Sequence, residues 1–372
     1  MGRILLRYGE LALKGRNRVY FVRQLRRNVR AALRAHDIEG QVYSAGQRVY
    51  VETDRVDDAI EPLSRVFGLV SLSAVITVPR DMDAIAAECV RQARKAGVGP
   101  KVSFRVQARR ADKSFPYTSP EINRLAGEAI VSELDGKVDL SNNTDVTIGV
   151  EVARDEVLVF GNVIKAPGGL PLGTGGRAIA LISGGIDSPA AAWMMMKRGC
   201  QIIPVHFAQN EVEKQKALDN IRVLARYSYG WNLRPILLSH EETIAPTLEK
   251  LYALGEERWA CVFCKRSLLL RAAALAEEMG AQAVIMGDAL GQVASQTLAN
   301  MEVISHGVPK PILRPLIGLD KDEIVEIARR IGTFEISTRH AESCPFLPNS
   351  PVTRGSVAKL LDIIRRMDET GE

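Results

Sequence analysis

Residues 181–188 read Leu-Ile-Ser-Gly-Gly-Ile-Asp-Ser, and the rest of the chain is organised around this stretch. The apolar run that enters it predicts a buried strand over 178–182, and Pro189 suits the first turn of a following helix, where its missing N–H costs nothing. A strand, a glycine turn and a helix aim free backbone N–H groups and a helix N-terminus at one point. The stretch therefore predicts an anion site, although a lone Gly-Gly pair also fits an ordinary strand-to-helix turn.

The composition is that of an ordinary globular protein. The chain has 372 residues, of which 46% are hydrophobic and 25% charged, enough for two or three domains with cores of their own. No segment resembles a signal peptide or approaches the roughly 18 apolar residues of a membrane span, so we expect a cytoplasmic protein with no membrane partner. The five cysteines are too few for a secreted disulfide framework, so any grouping among them indicates metal or redox chemistry.

Positive charge is concentrated at the N-terminus, where residues 1–34 contain ten Arg or Lys and a single acid, Glu10. Apolar residues at helical spacing predict a helix over 17–35 with one packed face. The opposite face is predicted to be free and is lined by Arg23, Arg26, Arg27, Arg30 and Arg34. Such a face is either merely solvated or binds a polyanion, and the surplus of positive charge favours nucleic acid.

The patterns divide the chain into two small α+β segments and one larger α/β segment. Over 1–78 the order strand, helix, strand, strand, helix, strand suggests a ferredoxin-like unit. Residues 79–166 form a second small α+β unit, and 167–177, rich in Gly and Pro, is a linker by composition. From 178 to 372 strands and helices alternate as a doubly wound parallel sheet requires.

Ligands of a doubly wound sheet bind at the carboxyl ends of its strands. Three predicted strands end at Ser183, at His206-Phe207 and at Gly287-Asp288, so we expect these residues to meet at one edge. His206 could equally be a structural residue at a strand end.

Taken together, several stretches resemble the tRNA 4-thiouridine synthetase (ThiI) family over nearly the whole chain. Ser183-Gly-Gly-Ile-Asp-Ser188 is similar to the pyrophosphate loop (PP-loop) of enzymes that cleave ATP between its α- and β-phosphates. The further matching stretches are residues 7–15, 169–173, 287–297 and 314–321. The resemblance implies an α/β fold in which a doubly wound PP-loop ATP pyrophosphatase domain is preceded by ferredoxin-like and THUMP RNA-binding domains.

The resemblance also implies a reaction. ATP adenylates the C4 oxygen of uridine 8 in tRNA with release of pyrophosphate, and sulfur then displaces AMP to leave 4-thiouridine. The implied partners are tRNA and a sulfur donor, either sulfide or a cysteine desulfurase persulfide. Sulfur transfer to a thiamine-pathway carrier protein and a non-catalytic tRNA-binding protein are the alternatives, and a homodimer is left open.

The resemblance assigns roles within the loop and beyond it. Asp187 would orient Mg²⁺ or the α-phosphate. Lys321 matches a catalytic lysine of the family, although Asp320 and Glu323 have the pattern of a capping box that would make it only an exposed first-turn residue. The residues expected to bind ATP are Leu181, Ile182, Ser183, Gly184, Gly185, Asp187, Ser188, His206, Phe207, Arg266, Gly287 and Gln296.

The cysteines Cys261 and Cys264, near the start of a predicted helix, and the distant Cys344 form the last candidate group. A redox disulfide within Cys261-x-x-Cys264 is one interpretation, and a zinc site would need a fourth Cys or His, for which the sequence offers no adjacent candidate. Family members without a C-terminal rhodanese domain combine such cysteines to hold an iron–sulfur cluster, and this chain, whose sequence stops at Glu372, looks the same. The resemblance thus implies that the three cysteines are cluster ligands with one iron position open to sulfide; a Cys344 persulfide resolved by Cys261 or Cys264, or an inert role, are the alternatives.

Overall fold

The computed structural model describes residues 1–46, 48–141, 143–340 and 344–369. The chain forms two compact units, Met1–Gly169 and Leu170–Glu372. The predicted α/β fold class is confirmed. In the described part of the chain no helix is both long and apolar enough to span a bilayer.

The first unit is built on one sheet. Its described residues form nine strands: β1 (Gly2–Tyr8), β2 (Gln41–Ala45), β3 (Arg48–Thr53), β4 (Leu69–Val78), β5 (Ser103–Arg110), β6 (Lys137–Val138), β7 (Val146–Val152), β8 (Val157–Phe160) and β9 (Ile164–Lys165). Its helices are α1 (Arg18–Arg34), α2 (Val56–Leu63), α3 (Met82–Lys95) and α4 (Ser119–Leu134). The strand order is β2-β3-β1-β4-β8-β7-β5-β6, with β9 paired to β4.

Strand β4 joins the two halves of this sheet. Its first half pairs antiparallel with β1, placing Leu72 opposite Leu6, and its second half pairs with β8, placing Ile76 opposite Val159. The predicted strand and helix order up to residue 78 is confirmed, and the spatial order β2-β3-β1-β4 follows from it. A boundary between residues 78 and 79 stays a prediction.

An ion network ties the same two halves together. The Glu151 carboxylate on β7 accepts from Arg7 on β1 and from Arg48 on β3, each over 3.0 Å. The Arg7 guanidinium also lies over the Phe160 ring, 4.4 Å from its centroid. Because these three strands belong to different halves of the sheet, Glu151 fixes one half against the other.

The second unit is the doubly wound domain. Its described residues form five strands: β10 (Arg177–Leu181), β11 (Gln201–Ala208), β12 (Ile236–Ser239), β13 (Ala283–Ile285) and β14 (Ile312–Leu313). Its helices are α5 (Asp187–Lys197), α6 (Glu211–Ala225), α7 (His240–Thr243), α8 (Ala245–Ala253), α9 (Ala260–Glu278), α10 (Leu298–Ser305), α11 (Lys321–Ile331), α12 (Phe334–Ser337) and α13 (Val357–Glu369).

All pairs in this sheet are parallel, and the strand order is β12-β11-β10-β13-β14. The chain winds outward from β10 through β11 to β12 and then returns to β13 on the other side of β10. The order therefore reverses beside the carboxyl end of β10, which is where such sheets bind ligands. The loop at 182–186 leaves β10 at this point.

The sequence patterns missed several short elements of this unit. Helices α7, α8 and α10 and the two-residue strand β14 were not predicted, since each is too short to show a clear period. Strand β11 runs to Ala208, so His206 lies inside the strand rather than at its end. In the Gly- and Pro-rich stretch, Gly168 N donates to Leu69 O over 2.6 Å and Gly173 N donates to Gly199 O over 2.8 Å. Each half of the predicted linker is thus bonded to its own unit.

Candidate active site

Two serines close the loop after β10. The Ser188 hydroxyl accepts from Ser183 N over 2.8 Å, and the Ser183 hydroxyl accepts from Gly185 N over 3.3 Å. The two hydroxyl oxygens lie 3.0 Å apart. The loop therefore folds back on the start of α5, as a turn that presents a helix N-terminus requires.

The end of β13 packs directly against the same helix start. A Cβ added to Gly287 would lie 2.7 Å from Ser188 N and 2.8 Å from the carbonyl carbon of Asp187. Since these are backbone atoms, a side chain at 287 cannot be accommodated without moving α5. Two of the predicted strand ends, at Ser183 and at Gly287, thus meet at the loop.

Asp187 and Lys321 form an ion pair at the mouth of the loop. Lys321 Nζ lies 2.7 Å from Asp187 Oδ1. Gln292 bridges the two in the amide orientation that gives both of its polar atoms a partner: its nitrogen donates to Asp187 Oδ2 over 3.2 Å, and its oxygen accepts from Lys321 Nζ over 3.0 Å. A carboxylate, an ammonium group and an amide therefore converge beside the predicted phosphate site.

The capping box at the start of α11 is present as predicted. Asp320 accepts from Glu323 N over 2.9 Å, and the Glu323 carboxylate accepts from Asp320 N over 3.0 Å. Lys321 is thus the first residue of α11 and partly exposed, as the capping interpretation requires. Its side chain nevertheless reaches the loop, so the two interpretations of Lys321 are compatible.

A cavity of about 180 Å³ opens next to the loop. The residues predicted to bind ATP that line it are Leu181, Ile182, Ser183, His206 and Phe207. His206 Nδ1 lies 2.8 Å from Ile182 O, and because a carbonyl only accepts, Nδ1 carries the proton. His206 Nε2 is then a buried acceptor with no partner among the described residues. Burial lowers the pKa of His206, so the ring stays neutral.

One further predicted ATP ligand, Gln296, lies beside a buried carboxylate, that of Asp288. Asp288 Oδ1 accepts from Lys265 over 2.7 Å and from Gln296 over 3.3 Å, and Oδ2 accepts from Arg314 over 3.1 Å. Burial alone would raise the pKa of Asp288, but Lys265 and Arg314 outweigh it and lower the pKa. The Gln296 side chain is therefore held by an ionised group. Arg266 lies outside the wall of the cavity and donates to the carbonyl of His306.

Two of the three cysteines, Cys264 and Cys344, lie at the wall of the same cavity. Cys264 lines it, and burial, followed by the charges of Cys344 and Cys261, raises the pKa of Cys264 to about 12. Gln209, another lining residue, places its amide nitrogen 3.6 Å from Cys344 Sγ. Among the described residues, no three His, Cys, Asp or Glu side chains are arranged to hold a single metal ion. Cys344 thus contacts a residue of the same cavity wall as Cys264, and a cluster held by the three cysteines stays a prediction.

A histidine that is distant in the sequence lies beside one of these cysteines. His240 Nε2 lies 3.9 Å from Cys264 Sγ, although the two residues are 24 positions apart. His240 is buried, and its ring lies at 6.1 Å from that of Phe346, two residues after Cys344. His240 is the first residue of α7, a helix that was not predicted. The spacing of residues around Cys261 and Cys264 therefore could not indicate this contact.

Comparison with known proteins places this site in a family. A family model described as thiamine biosynthesis protein (ThiI) matches residues 173–368. A relative from Thermococcus kodakarensis, named probable tRNA sulfurtransferase, is 43% identical over 95% of this chain and 93% of its own length. The chain belongs to the ThiI family. A second relative of the same name, from Methanocaldococcus jannaschii, is 40% identical over 94% of this chain and 93% of its own length.

The other matches agree with the ThiI assignment. The ThiI ferredoxin-like domain model matches residues 3–73, and the THUMP domain model matches residues 79–161. A crystal structure described as a 4-thiouridine synthetase–RNA complex with bound ATP aligns with 99% of this chain and 95% of its own, at 33% identity and a TM-score of 0.83. The predicted family and the predicted order of ferredoxin-like, THUMP and PP-loop domains are confirmed.

The basic helix of this ThiI chain is less free than predicted. Arg26 and Arg30 both donate to the carbonyl of Val42, over 3.2 and 2.8 Å, so these two guanidinium groups hold α1 against β2. The arginines of the row that are exposed are Arg23, Arg27 and Arg34. A basic surface remains, but it rests on three residues of the predicted five.

Sequence reasoning missed three polar residues that contact the loop machinery. Gln292 lay within the family-like stretch 287–297 but had no role assigned to it. Ser337 Oγ donates to Gly185 O over 3.1 Å, and Asn220 Nδ2 donates to Ser337 Oγ over 3.2 Å. Neither Ser337 nor Asn220 belongs to a motif, so only the folded structure reveals them.

Proposed function

We propose that the protein is an ATP-dependent tRNA sulfurtransferase that converts uridine 8 of tRNA into 4-thiouridine. The observation that carries the proposal is the shared cavity: Ser183 of the phosphate loop and Cys264 of the cysteine group line the same 180 Å³ space. Activation by ATP and delivery of sulfur must act on one carbon atom, so the two groups have to be close. The names of the ThiI relatives and of the ATP-bound structural neighbour support this substrate and this product.

The first half of the reaction replaces a poor leaving group by a good one. The C4 oxygen of uridine attacks the α-phosphate of ATP, and pyrophosphate departs. The N-terminus of α5 and the loop N–H groups are suited to bind the phosphate oxygens. Lys321 would stabilise the negative charge that develops at the α-phosphate, where a preorganised cation is most effective.

Asp187 fits a magnesium ligand. Mg²⁺ in nucleotide sites is held by one or two carboxylates together with the substrate phosphates. The Asp187 carboxylate is partly exposed at the start of α5 and bonded to Lys321 and Gln292. When bound there, the ion would neutralise the departing pyrophosphate. Binding of ATP would then draw Lys321 from Asp187 toward a phosphate oxygen.

The second half of the reaction needs sulfur next to the activated base. The residues present are of the type that holds an iron–sulfur cluster, since thiolates are its usual ligands, Cys264 lines the cavity and Cys344 contacts Gln209 in its wall. A cluster with three protein thiolates would supply an iron position able to hold sulfide. Burial and Cys344 raise the pKa of Cys261, and Lys265 opposes the rise, so a bound cluster would have to displace protons from these thiols.

A persulfide is the alternative route. The Cys344 thiolate would first take the terminal sulfur from a cysteine desulfurase persulfide, whose own cysteine leaves as a thiolate. The terminal sulfur of the Cys344 persulfide would then attack C4 and expel AMP, and a thiolate at Cys261 or Cys264 would attack Cys344 Sγ. This releases 4-thiouridine and leaves a disulfide. The position of Cys264 and Cys344 at one cavity wall supports this route as well, and the iron content of the protein together with the sulfur bound to Cys344 distinguishes the two.

A second candidate function is sulfur transfer to a carrier protein of thiamine synthesis, which the description of the matching family model favours. The basic surface of α1 and the THUMP match to residues 79–161 favour RNA as acceptor instead. A protein that binds tRNA without turnover is opposed by the intact loop and by the Asp187–Lys321 pair.

Nucleoside mass spectrometry tests the proposed function. Unmodified tRNA is incubated anaerobically with the protein, Mg²⁺–ATP and sulfide, and a tRNA with cytidine at position 8 serves as the control. We expect 4-thiouridine in equal amounts with AMP and pyrophosphate, and none in the control tRNA. AMP formation only with a carrier protein would favour the second candidate, and tRNA binding without AMP formation would contradict both enzymatic functions.

A further inference from the structure

The carbonyl of Gly185, in the middle of the phosphate loop, is held from outside the loop. Ser337 Oγ donates to Gly185 O over 3.1 Å, although the two residues are 152 positions apart. Ser337 is the last residue of α12 and is buried. The hydroxyls of the loop itself bind N–H groups, whereas this carbonyl is bound by a different element of the fold.

A second buried side chain fixes the direction of that hydrogen bond. Asn220 Nδ2 donates to Ser337 Oγ over 3.2 Å. A hydroxyl has one proton, so Ser337, accepting from Asn220, has its own proton free for Gly185. Asn220 is fully buried, and its Oδ1 has no partner among the described residues. An unpaired buried oxygen costs stability, so stability alone does not account for an asparagine here.

Helix α6 holds the whole α12 terminus. Asp219 pairs with Arg339 over 2.7 Å, and Lys216 Nζ donates to Arg339 O over 3.1 Å. Lys216, Asp219 and Asn220 have the spacing that places residues on one face of a helix. Ser337 therefore belongs to a segment that α6 also anchors two residues further along, at Arg339.

The orientation of the Gly185 carbonyl matters because of what lies on the other side of the peptide. In a planar trans peptide the carbonyl and the following N–H point in opposite directions, so fixing Gly185 O also fixes the N–H of Ile186. This peptide turns about ψ of Gly185, a residue that has no side chain to restrict the rotation. We propose that Asn220 and Ser337 are positioning residues that hold this peptide with its N–H toward the phosphates of bound ATP. The inference rests on the proposed use of the loop for ATP.

The test measures ATP binding, catalysis and folding separately. Ser337→Ala removes the donor to Gly185. Asn220→Asp reverses the Ser337 hydrogen bond in the relay Asn220–Ser337–Gly185. A carboxylate only accepts, so it draws the Ser337 proton away from Gly185. For either variant we expect the Kd for ATP to rise about tenfold, which corresponds to one hydrogen bond. AMP formation at saturating ATP should fall less, and tRNA affinity should not change.

Thr333→Ala is the matched control. Thr333 is also buried, and its hydroxyl donates over 3.4 Å to Ala328 O, a carbonyl of α11 that is not part of the loop. We expect this variant to lower the melting temperature without changing the Kd for ATP. Ser337→Thr, which keeps the hydroxyl, should restore much of the ATP affinity that Ser337→Ala loses.

If Asn220 acts through Ser337, the losses of ATP affinity caused by Ser337→Ala and Asn220→Asp should not add. Once Ser337→Ala has removed the link, Asn220→Asp should weaken ATP binding no further. An unchanged Kd in both single variants, or fully additive losses, would overturn the proposal. Should Ser337→Ala fail to fold, Asn220→Asp, which nearly preserves the side-chain volume, gives the decision alone. Wild-type protein that binds ATP without thiolating tRNA would contradict the proposed function, and the Kd values of the variants would still decide this inference. Wild-type protein that binds no ATP would contradict both the proposed function and this inference.

Discussion

Lys321 Nζ lies 2.7 Å from Asp187 Oδ1, although the two residues are 134 positions apart in the chain. Each is the first residue of a helix, Asp187 of α5 and Lys321 of α11, so two helix starts face each other at the phosphate loop. The two side chains are 26% and 47% exposed, and a pair this exposed contributes at most about 1 kcal/mol to folding. The pair is therefore better explained by the site than by stability.

The first prediction follows from this pair. Asp187→Ala and Lys321→Ala should each lower the rate of AMP formation by roughly 100-fold or more, as expected for a group that acts on the transition state. The melting temperature and tRNA affinity should change little. Asp322→Ala, one position further along α11, is the matched control and should be nearly silent. Wild-type turnover in Asp187→Ala would contradict the role given to the loop.

The second prediction concerns the exposed arginines of α1. Replacing Arg23, Arg27 and Arg34 by Gln should weaken tRNA binding and flatten the dependence of log Kd on log salt. The slope should fall by about 0.9 for each lost contact to a duplex phosphate. Measuring the Kd for tRNA at several salt concentrations, from low to moderate, gives both the affinity and the slope.

The other two arginines of the same row provide the control. Arg26→Gln with Arg30→Gln removes the donors to Val42 O, so we expect lower thermal stability with a smaller change in the salt slope. An unchanged slope in the triple variant would mean that the exposed face is only solvated.

The sequence reveals those features that are local or periodic. The Ser183-to-Ser188 loop was recognisable because glycines, serines and an aspartate occupy fixed positions in one turn. The α1 helix was recognisable from its 3.6-residue period. By contrast, the contact of His240 with Cys264 and that of Ser337 with Gly185 depend on single polar residues far apart in the chain. Nothing in their neighbourhood distinguishes them, because the packing of separate elements creates the contact.

The contacts of Glu151 in the first unit also join residues far apart in the chain, and they lead to the third prediction. Glu151→Gln leaves Arg7 and Arg48, whose side chains are 13% and 22% exposed, without their carboxylate. We expect the unit to lose about 1–3 kcal/mol, the cost of unsatisfied buried groups. Because all three tryptophans, Trp193, Trp231 and Trp259, lie in the second unit, amide hydrogen exchange in peptides covering β1, β3 and β7 is the appropriate measurement.

Asp58→Asn is the control for that experiment. It breaks the Arg55–Asp58 pair, whose side chains are both more than half exposed, and should cost less than about 1 kcal/mol. Equal effects of the two substitutions would show that Glu151 does not fix the halves of the sheet.

The fourth prediction is a pH dependence of stability. Burial lowers the pKa of His206 in the folded state, so below about pH 6.5 the unfolded chain binds a proton that the folded chain does not. The contribution of neutral His206 to the free energy of unfolding is therefore present above pH 6.5 and is lost as the pH falls toward the folded-state pKa. Urea unfolding followed by tryptophan fluorescence at pH 7.5 and 5.5 measures it.

His206→Asn isolates this group. The asparagine amide keeps a donor near Ile182 O but does not titrate, so the loss of stability between the two pH values should become smaller. His240, whose pKa burial also lowers, accounts for part of the remaining dependence. A pH dependence that His206→Asn does not alter would contradict the buried neutral state.

The last prediction decides how sulfur is carried. If the three cysteines hold a cluster, anaerobically purified protein contains iron and is brown, with a broad visible absorption band. Cys344→Ala should then lose iron, colour and thiolation together. Cys200→Ala is the matched control, because Cys200 is buried and its thiol donates to Gly175 O over 3.3 Å, so the variant should keep all three properties. Colourless, iron-free wild-type protein that thiolates tRNA would contradict the cluster and favour the persulfide. In that case mass spectrometry of protein incubated with a cysteine desulfurase and cysteine, which supply sulfur already at the persulfide level, should find an added sulfur atom on Cys344 before turnover and a disulfide from Cys344 to Cys261 or Cys264 afterwards.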